Sequence, residues 1–191
     1  MTKDVYFITG NRNKFREASE IFTKTKLNYT LKHMNIKTTE IQAQSIKDVA
    51  LFKLNSVKHR VNDSFFIEDA GLFVDVPLKG FPGVYSSYVL KTIGNRGILR
   101  LIDDFEASIA HFSAIIAFYF KPKDKILFFE GNVKGRISDT IRGKGGFGFD
   151  PIFISNNIPD KTFAELSVEE KNSISHRGQA FTNFTEYLEN K

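Results

Sequence analysis

Residues 4–14 read Asp-Val-Tyr-Phe-Ile-Thr-Gly-Asn-Arg-Asn-Lys, a short apolar run that ends in a polar turn. After this stretch the apolar side chains recur at helical spacing, at Phe15, Ala18, Ile21 and Phe22. A strand-like run that gives way to helical periodicity across a glycine predicts a strand, a tight turn and a helix. Residues 27–36 then have the pattern of a second strand, and residues 45–60 that of a second helix. This alternation predicts an α/β fold with some parallel strand pairing.

The rest of the chain adds antiparallel strands and more helices. Residues 108–120 and 125–137 are rich in β-formers and flank a Lys-Pro turn, so they predict a long hairpin. Residues 64–76 read as two strand-like pieces joined at Glu68-Asp69-Ala70-Gly71. Helical spacing occurs in residues 84–91, 95–103 and 177–189. We therefore predict a mixed sheet with flanking helices.

Length and composition are those of a globular protein of enzyme size. The chain has 191 residues, 41% of them hydrophobic and 20 of them Phe, and we expect residues 1–191 to form a single domain. The absence of cysteine excludes disulfides, zinc–thiolate sites and a cysteine nucleophile. Residues 1–10 hold too short an apolar run for a secretory signal, and no apolar stretch of about 18 residues occurs. We expect a cytoplasmic protein that does not bind membranes.

The net charge of +5 is compatible with nucleic acid or with a smaller polyanion. Apart from the turn at 121–125, Lys and Arg alternate with Asp and Glu without forming a stripe. No nucleic-acid-binding motif is visible, so we expect a small anionic ligand and no nucleic acid.

The turn after the first strand is a candidate phosphate site, formed by Thr9, Gly10, Asn11, Arg12, Asn13 and Lys14. A helix N-terminus presents unpaired N–H groups and the positive end of the helix dipole, and Lys14 adds a charge in the first turn. The alternative is an ordinary N-cap by Asn11 or Asn13 beside an exposed lysine.

A second candidate site holds the acidic residues Glu68 and Asp69, with Glu40 earlier in the chain. Neighbouring residues on a strand point to opposite faces, so only one of Glu68 and Asp69 is expected to face a given cleft. We favour Asp69, which precedes Gly71 at the expected strand end. Carboxylate oxygens suit Mg²⁺, and such a group can also orient or deprotonate water. The alternative is a turn with two solvated acids.

The glycine-rich segment 143–151 contains a literal G-x-G-x-x-G at positions 143, 145 and 148. It is not a dinucleotide fingerprint, because Pro151 and a β-like segment follow where that motif needs a helix. It is not a P-loop either, because Gly145 follows Lys144. We interpret it as a loop whose Phe149 stacks on a planar base while Asp150 or backbone groups meet the base edge. A plain surface loop is the alternative.

Three donors of different kinds lie near the last helix: Lys171, His176 and Arg177. Together they suit an anionic ligand that also has a polar edge. Because a keto oxygen accepts hydrogen bonds while an exocyclic amino group donates them, the His and Arg donors favour a 6-keto purine over adenine. The alternative is a solvated basic surface.

In combination these segments resemble the inosine triphosphate pyrophosphatase family, also called Ham1-like. The matching segments are Thr9–Lys14, Thr39–Gln42, Glu68–Leu72, Phe81–Ser86, Gly146–Pro151, Thr162–Leu166, Glu170–Asn172 and Ser175–Gly178. The resemblance covers nearly the whole chain. It implies an elongated α/β fold of two lobes around a long mixed sheet, with a Mg²⁺-dependent site in the cleft and a homodimeric assembly. The implied reaction hydrolyses ITP, dITP and XTP to the monophosphate and pyrophosphate, which cleanses the nucleotide pool.

The resemblance also implies residue roles. Residues 9–14 would bind phosphate, Glu40 and Asp69 would hold Mg²⁺, and Asp69 would be the proton acceptor. The substrate would further be contacted by Ala70, Phe147, Gly148, Phe149, Asp150, Lys171, His176 and Arg177. Many family members carry Ser at position 70, so a hydroxyl contact is lost here, and Tyr is common at position 149. We expect in-line attack of water on the α-phosphorus, with Mg²⁺, Lys14, Lys171 and Arg177 neutralising the triphosphate.

Two other functions fit parts of this pattern. One is a Maf-like pyrophosphatase that acts on pyrimidine nucleotides, and base preference would distinguish it. The other is a non-catalytic module that binds nucleotides or nucleic acid, for which the positive charge is the only support. Salt-sensitive DNA binding without phosphate release would favour that module.

Overall fold

A seven-stranded mixed sheet forms the centre of the protein in the computed structural model, which describes residues 3–191. The strands are β1 (Lys3–Ile8), β2 (Tyr29–Met34), β3 (Phe65–Val76), β4 (Phe81–Pro82), β5 (Ile109–Phe120), β6 (Lys125–Ile137) and β7 (Phe153–Ser155). The helices are α1 (Arg12–Lys24), α2 (Ile46–Val57), α3 (Ser86–Thr92), α4 (Gly94–Ile102), α5 (Val168–Ile174) and α6 (His176–Glu189). The predicted α/β fold with a mixed sheet and flanking helices is confirmed.

The strand order is β2-β1-β3-β5-β6-β7, and β4 pairs with the outer half of β3. β1 runs parallel to both β2 and β3, as expected when helices connect consecutive strands. The pairs β3–β5, β5–β6 and β6–β7 are antiparallel. The predicted hairpin of residues 108–120 and 125–137 is therefore confirmed as β5 and β6.

β3 is one continuous strand of 12 residues, so the predicted break at Glu68-Asp69-Ala70-Gly71 is wrong. These four residues pair in register with Ile116 to Ser113 of β5. The strand pairing with β5 continues through both acidic residues, and their side chains form ion pairs with cationic residues. Asp69 accordingly lies in the middle of β3 and not at its end.

A cleft opens beside β3 because β1 is short. β1 ends at Ile8 and pairs with β3 only at Tyr6 with Phe65 and Phe7 with Phe66. In the described chain β3 has no strand partner on that side from Ile67 to Leu72, until β4 joins at Phe73. Ligands of open α/β sheets commonly bind beyond the carboxyl ends of parallel strands. The fold therefore leaves such a position open beside the acidic part of β3.

The hydrophobic core consists of three clusters around this cleft. On one face of the sheet, α1 and α6 cover Phe66 and Phe118, and on the other face α2 covers Phe65 and Ile67. The third cluster fills the other end of β3, β5 and β6 and includes residues of α3 and α4. This arrangement fixes helices from separate parts of the chain along the walls of the cleft.

The helix boundaries differ slightly from the sequence-based ones. α5 was not predicted, because its seven residues show no clear periodicity, and α6 begins one residue earlier than expected. No helix in residues 3–191 combines the length and the apolar character that a membrane crossing requires. That residues 1–191 form one domain stays a prediction.

Candidate active site

The cleft contains a cavity of about 610 Å³, within the size range of small-molecule sites. It lies at the carboxyl end of β1 and along the open edge of β3. Most of the predicted site residues line it: Thr9, Gly10, Asn11, Arg12, Lys14, Glu40, Asp69, Ala70, Phe147, Gly148, Phe149, Asp150, His176 and Arg177. The lining does not include Asn13 or Lys171. The fold thus brings together segments that lie up to 168 residues apart in a single cavity.

The first turn of α1 forms one wall of the cavity. The side chain of Asn11 is the N-cap, and its Oδ1 accepts from the backbone N–H groups of Asn13 at 2.9 Å and Lys14 at 3.3 Å. Capping of this kind fixes the start of the helix and satisfies two of its free donors. The positive end of the helix dipole still faces the cavity, where an anion would be stabilised.

A lysine that the sequence analysis did not single out lies between the two predicted metal ligands. The Nζ of Lys53 is 2.7 Å from Glu40 Oε1 and 2.9 Å from Asp69 Oδ2. Its hydrogen bond is the main cause that lowers the pKa of Glu40. Burial by itself would lower the pKa of Lys53, but Asp69 and Glu40 outweigh burial and raise it. The side-chain oxygens of Glu40 and Asp69 thus point towards one position, the Lys53 ammonium.

Glu68 and Asp69 lie on opposite faces of β3, yet both line the cavity. Asp69 is on the α2 face with Lys53, while Glu68 is on the α6 face, where it meets Lys14 and Arg177. The expectation that only one of these acids faces the cleft is therefore wrong. The physical reason is the missing strand neighbour, since an open edge gives a ligand access to both faces.

Behind the floor of the cavity, six acidic and basic side chains form a continuous series of ion pairs. The pairs run from Lys14 to Glu68, Arg177, Glu17, Lys171 and Asp150, with N···O distances between 2.6 and 3.0 Å. Five of them are nearly fully buried, and Lys14 is the one that reaches towards solvent. The network contains three positive and three negative groups, so it is electrically balanced without a ligand.

Two carboxylates of this network, Glu17 and Glu68, are held in the ionised form, whereas burial raises the pKa of the third, Asp150. Burial alone would raise the pKa of both Glu17 and Glu68, but the opposing charge of Arg177 and a second cation outweighs burial and lowers it. For Arg177, burial is likewise outweighed, by Glu68 and Glu17, and its pKa is raised. Removal of one partner from a buried pair of this kind is costly, because it leaves an uncompensated buried charge.

His176 is buried beside the network and is held neutral. Burial is the main cause that lowers the pKa of His176, and the positive charges of Arg177 and Lys171 add to the effect. The imidazole stacks on Phe112 with ring centroids 4.5 Å apart and planes 10° apart. Its Nδ1 is buried without a hydrogen-bond partner in the described residues. A neutral imidazole offers one N–H donor and one acceptor to a ligand.

The aromatic residue that the glycine-rich loop presents is Phe147, not Phe149. Phe149 lines the cavity but is only 4% exposed and packs in the third core cluster, which argues against the predicted stacking on a base. The ring of Phe147 is half-buried, with Lys171 Nζ 4.8 Å and Arg177 Cζ 5.1 Å from its centroid. Asp150 accepts from the N–H of Phe147 at 2.7 Å and from Lys171 at 2.6 Å. Its carboxylate therefore holds the loop in place.

Helix caps explain the polar residues around Lys171 and Arg177. Ser167 and Glu170 form a reciprocal capping box at the start of α5, and Ser175 caps α6 through the N–H of Gly178. A Cβ on Gly178 would lie 1.8 Å from the carbonyl oxygen of Asn172, so only glycine allows α5 and α6 to meet this closely. These contacts fix the positions from which Lys171 and Arg177 enter the network.

The sequence analysis assigned no role to Lys53 or Glu17, because charged residues on a helix are ordinarily exposed to solvent. Ile46, Val49, Ala50, Leu54 and Val57 form the buried stripe of α2, and position 53 falls on that stripe. Glu17 lies one turn after Lys14 on α1 and is 2% exposed. A charged residue within an apolar stripe was the available signal, because it needs a buried partner of opposite sign.

The arrangement suits a nucleoside triphosphate. The cationic wall at α1, with Lys53 and Lys91 nearby, matches a chain of phosphates, while the apolar and neutral polar lining near Phe147 and His176 matches a planar base. The carboxylates of Glu40 and Asp69 are hard oxygen donors of the kind that could hold a divalent cation.

Comparisons with known proteins agree with this geometry. A model of the Ham1 family matches residues 5–187. A dITP/XTP pyrophosphatase from Thermococcus kodakarensis is 44% identical, with 95% of each chain covered, and one from Pyrococcus horikoshii is 46% identical, with 96% of each covered. The solved structure of the Staphylococcus aureus Ham1 protein has a TM-score of 0.83 at 27% identity, covering 98% of this chain and 99% of that one.

Proposed function

Because this chain belongs to the Ham1 family, we propose that it hydrolyses the deaminated purine nucleotides dITP, XTP and ITP to the monophosphate and pyrophosphate. The observation that carries the proposal is the single cavity in which a cationic helix start, a carboxylate pair and a neutral histidine lie together. Each of these suits one part of such a substrate: the phosphates, the metal and the keto edge of the base.

The charge balance of the buried network supports a proposal for which end of the cavity binds the phosphates and which binds the base. Lys171 is neutralised by Glu17 and Asp150, and Arg177 by Glu17 and Glu68. This argues against the expected role of Lys171 and Arg177 in neutralising the triphosphate. The phosphates instead belong with the start of α1, Lys14 and the other cations of the lining, and the base belongs beside His176 and Arg177.

The preference for a 6-keto purine then follows from hydrogen-bond donors in the cavity that need an acceptor. The 6-keto oxygen of hypoxanthine or xanthine accepts a hydrogen bond, whereas the 6-amino group of adenine would leave buried donors unpaired. The half-buried ring of Phe147 provides a surface on which the base can stack. Since the pKa of His176 is lowered and the imidazole is neutral, its N–H can meet the base edge without adding a charge.

Glu40 and Asp69 fit Mg²⁺ as a cofactor, because both present carboxylate oxygens directed at one position. When bound, this metal would polarise a phosphoryl oxygen and make a coordinated water more acidic. Asp69 accepts the proton of the attacking water, and in the structure its carboxylate is paired with Lys53. Water attacks the α-phosphorus in line, and pyrophosphate leaves towards Lys14 and the start of α1.

The test is incubation of the protein with a panel of nucleoside triphosphates and Mg²⁺, with separate measurement of pyrophosphate and orthophosphate. We expect pyrophosphate from XTP, dITP and ITP and a much slower reaction with ATP. Orthophosphate as the sole product, or equal rates with ATP and ITP, would contradict the proposal. A preference for pyrimidine nucleotides would favour a Maf-like activity instead. Omission of Mg²⁺ should abolish the release of pyrophosphate.

The proposal also places the protein in the cytoplasm, because the nucleotide pool is its substrate. It further includes a homodimeric assembly. A surface beside the cavity supports self-association: Phe81, Tyr85, Tyr88 and Ile93 are exposed there, Tyr88 by 69%. Apolar patches of this kind commonly mark protein interfaces. Sedimentation should give the mass of two chains, and Tyr88→Glu should shift it towards one. That the protein binds no nucleic acid stays a prediction.

A further inference from the structure

Lys53 combines a buried position with an unusual pair of neighbours. It occupies the inward stripe of α2, and its side chain is only 11% exposed. Its ammonium is held by Glu40, from the loop between β2 and α2, and by Asp69, from the middle of β3. One lysine thus joins three separate segments of the chain at the wall of the cavity.

The lysine offsets the repulsion between the two carboxylates. Two ionised carboxylates that point at one position are unfavourable unless a cation lies between them. Lys53 supplies that cation from within the chain, with hydrogen-bond distances of 2.7 and 2.9 Å to the two acids. The carboxylate pair is therefore stable in the folded protein without any bound ion.

The ammonium also occupies the position on which the oxygens of Glu40 and Asp69 converge, and these are the two residues that would hold a divalent cation. A lysine ammonium sits on a flexible four-carbon stem and can move towards another anion. The triphosphate of a nucleotide is such an anion, and the cationic start of α1 holds its phosphates in the same cavity.

We propose that Lys53 competes with the divalent cation for Glu40 and Asp69, and that the phosphates of an incoming nucleotide draw the lysine away from them. The inference rests on the metal site of the proposed function. It predicts that metal and nucleotide each increase the affinity of the protein for the other, because each binds better once Lys53 has left the carboxylates. Free metal should then bind the nucleotide-free protein only weakly.

The experiment is a titration of the nucleotide-free protein with Mn²⁺, followed by the electron paramagnetic resonance signal of the free ion. The variant Lys53→Met keeps the apolar stem and removes the charge, and Lys53→Arg keeps the charge. We expect Lys53→Met to bind Mn²⁺ at least about tenfold more tightly than the wild type, because the competing cation is gone. Lys53→Arg should remain close to the wild type.

A double variant, Glu40→Gln with Lys53→Met, tests whether the gain in Mn²⁺ affinity arises at the carboxylate pair. It should lose the gain in affinity, since one of the two ligands no longer carries a charge. The inference is overturned if Lys53→Met binds Mn²⁺ no more tightly than the wild type, or if the gain persists in the double variant. Should Lys53→Met fail to fold, as judged by circular dichroism, Lys53→Gln has the same expected result.

The same preparations separate this inference from the proposed function. Release of pyrophosphate from XTP by the wild type, together with unchanged Mn²⁺ affinity in Lys53→Met, overturns the competition and leaves the function in place. Tighter Mn²⁺ binding by Lys53→Met, without any pyrophosphate from the wild type, supports the competition and contradicts the function.

Discussion

Arg177 donates from Nη1 to Glu17 Oε2 at 2.7 Å, although 160 residues separate them in sequence. The pair joins the start of α6 to the first turns of α1 and so connects the base end of the cavity to the phosphate end. Lys171 donates to the other oxygen of the same carboxylate at 2.8 Å. Glu17 is therefore the residue on which the position of both cations depends.

The substitution Glu17→Gln should destabilise the protein by about 3 kcal/mol, because it leaves two buried cations without full compensation. The measurement is the free energy of unfolding in urea. The matched control is Glu169→Gln, which removes a carboxylate paired with Lys24 at the surface and should leave stability unchanged. Equal stability of Glu17→Gln and the wild type would show that the network does not hold the two helices.

The stability of the wild type should fall as the pH drops below about 6.5, and His176 should account for part of this loss. The pKa of His176 is lowered well below its ordinary value of 6.5, first by burial and then by neighbouring cations. Below pH 6.5 the unfolded chain therefore binds a proton that the folded protein does not bind. Acid then favours unfolding by up to about 1.4 kcal/mol per pH unit.

The variant His176→Gln should lack this contribution. Between about pH 7 and about pH 5 its unfolding free energy should fall by about 2 kcal/mol less than that of the wild type. Urea titrations at several pH values provide the comparison. Parallel curves for the two proteins would mean that His176 takes up its proton in the folded state.

The substitution Asp69→Asn should reduce the turnover of XTP at least about a hundredfold, the low end for loss of a general base. Asp75→Asn is the matched control, because Asp75 lies on the same strand but pairs with His111. The rate of pyrophosphate release in Mg²⁺ is the measurement. Near-wild-type activity of Asp69→Asn would remove Asp69 from the mechanism.

The two phenylalanines of the glycine-rich loop should respond differently to substitution by alanine. Phe147→Ala should raise KM for XTP with little change in stability, since its half-buried ring faces the cations at the base end. Phe149→Ala should instead lower the unfolding free energy by about 3 kcal/mol, because it empties part of a core cluster. Unfolding and steady-state assays distinguish these outcomes, and the reverse pattern would restore Phe149 as the stacking residue.

Local patterns were sufficient for most of the fold. The strand, turn and helix of residues 3–24 and the hairpin of β5 and β6 follow from periodicity and turn residues that lie close together in sequence. The run from Glu68 to Gly71 was misread, because two acids and a glycine are typical of a turn. The pairing of these residues with β5 kept the strand intact, and this pairing is a contact between distant parts of the chain.

In the site, too, local patterns were insufficient wherever a residue's role depends on contacts between distant parts of the chain. Which of Phe147 and Phe149 is buried depends on the core beneath the loop, and nothing within the loop itself shows it. The roles of Glu17 and Lys53 depend on partners 160 and 16 residues away along the chain. Sequence spacing cannot report such pairs, because charges on a helix look alike whether they face solvent or a buried ion.

The sequence by itself determined the order of the elements and the segments that carry phosphate-binding, acidic and base-facing residues, because these depend on local periodicity and side-chain chemistry. Tertiary structure decided which charges are free and which are neutralised. It buried Lys171 and Arg177 among carboxylates, placed Lys53 between Glu40 and Asp69, and opened both faces of β3 to the cleft. Electrostatic pairing and burial are properties of distances in space, and only the folded chain fixes those distances.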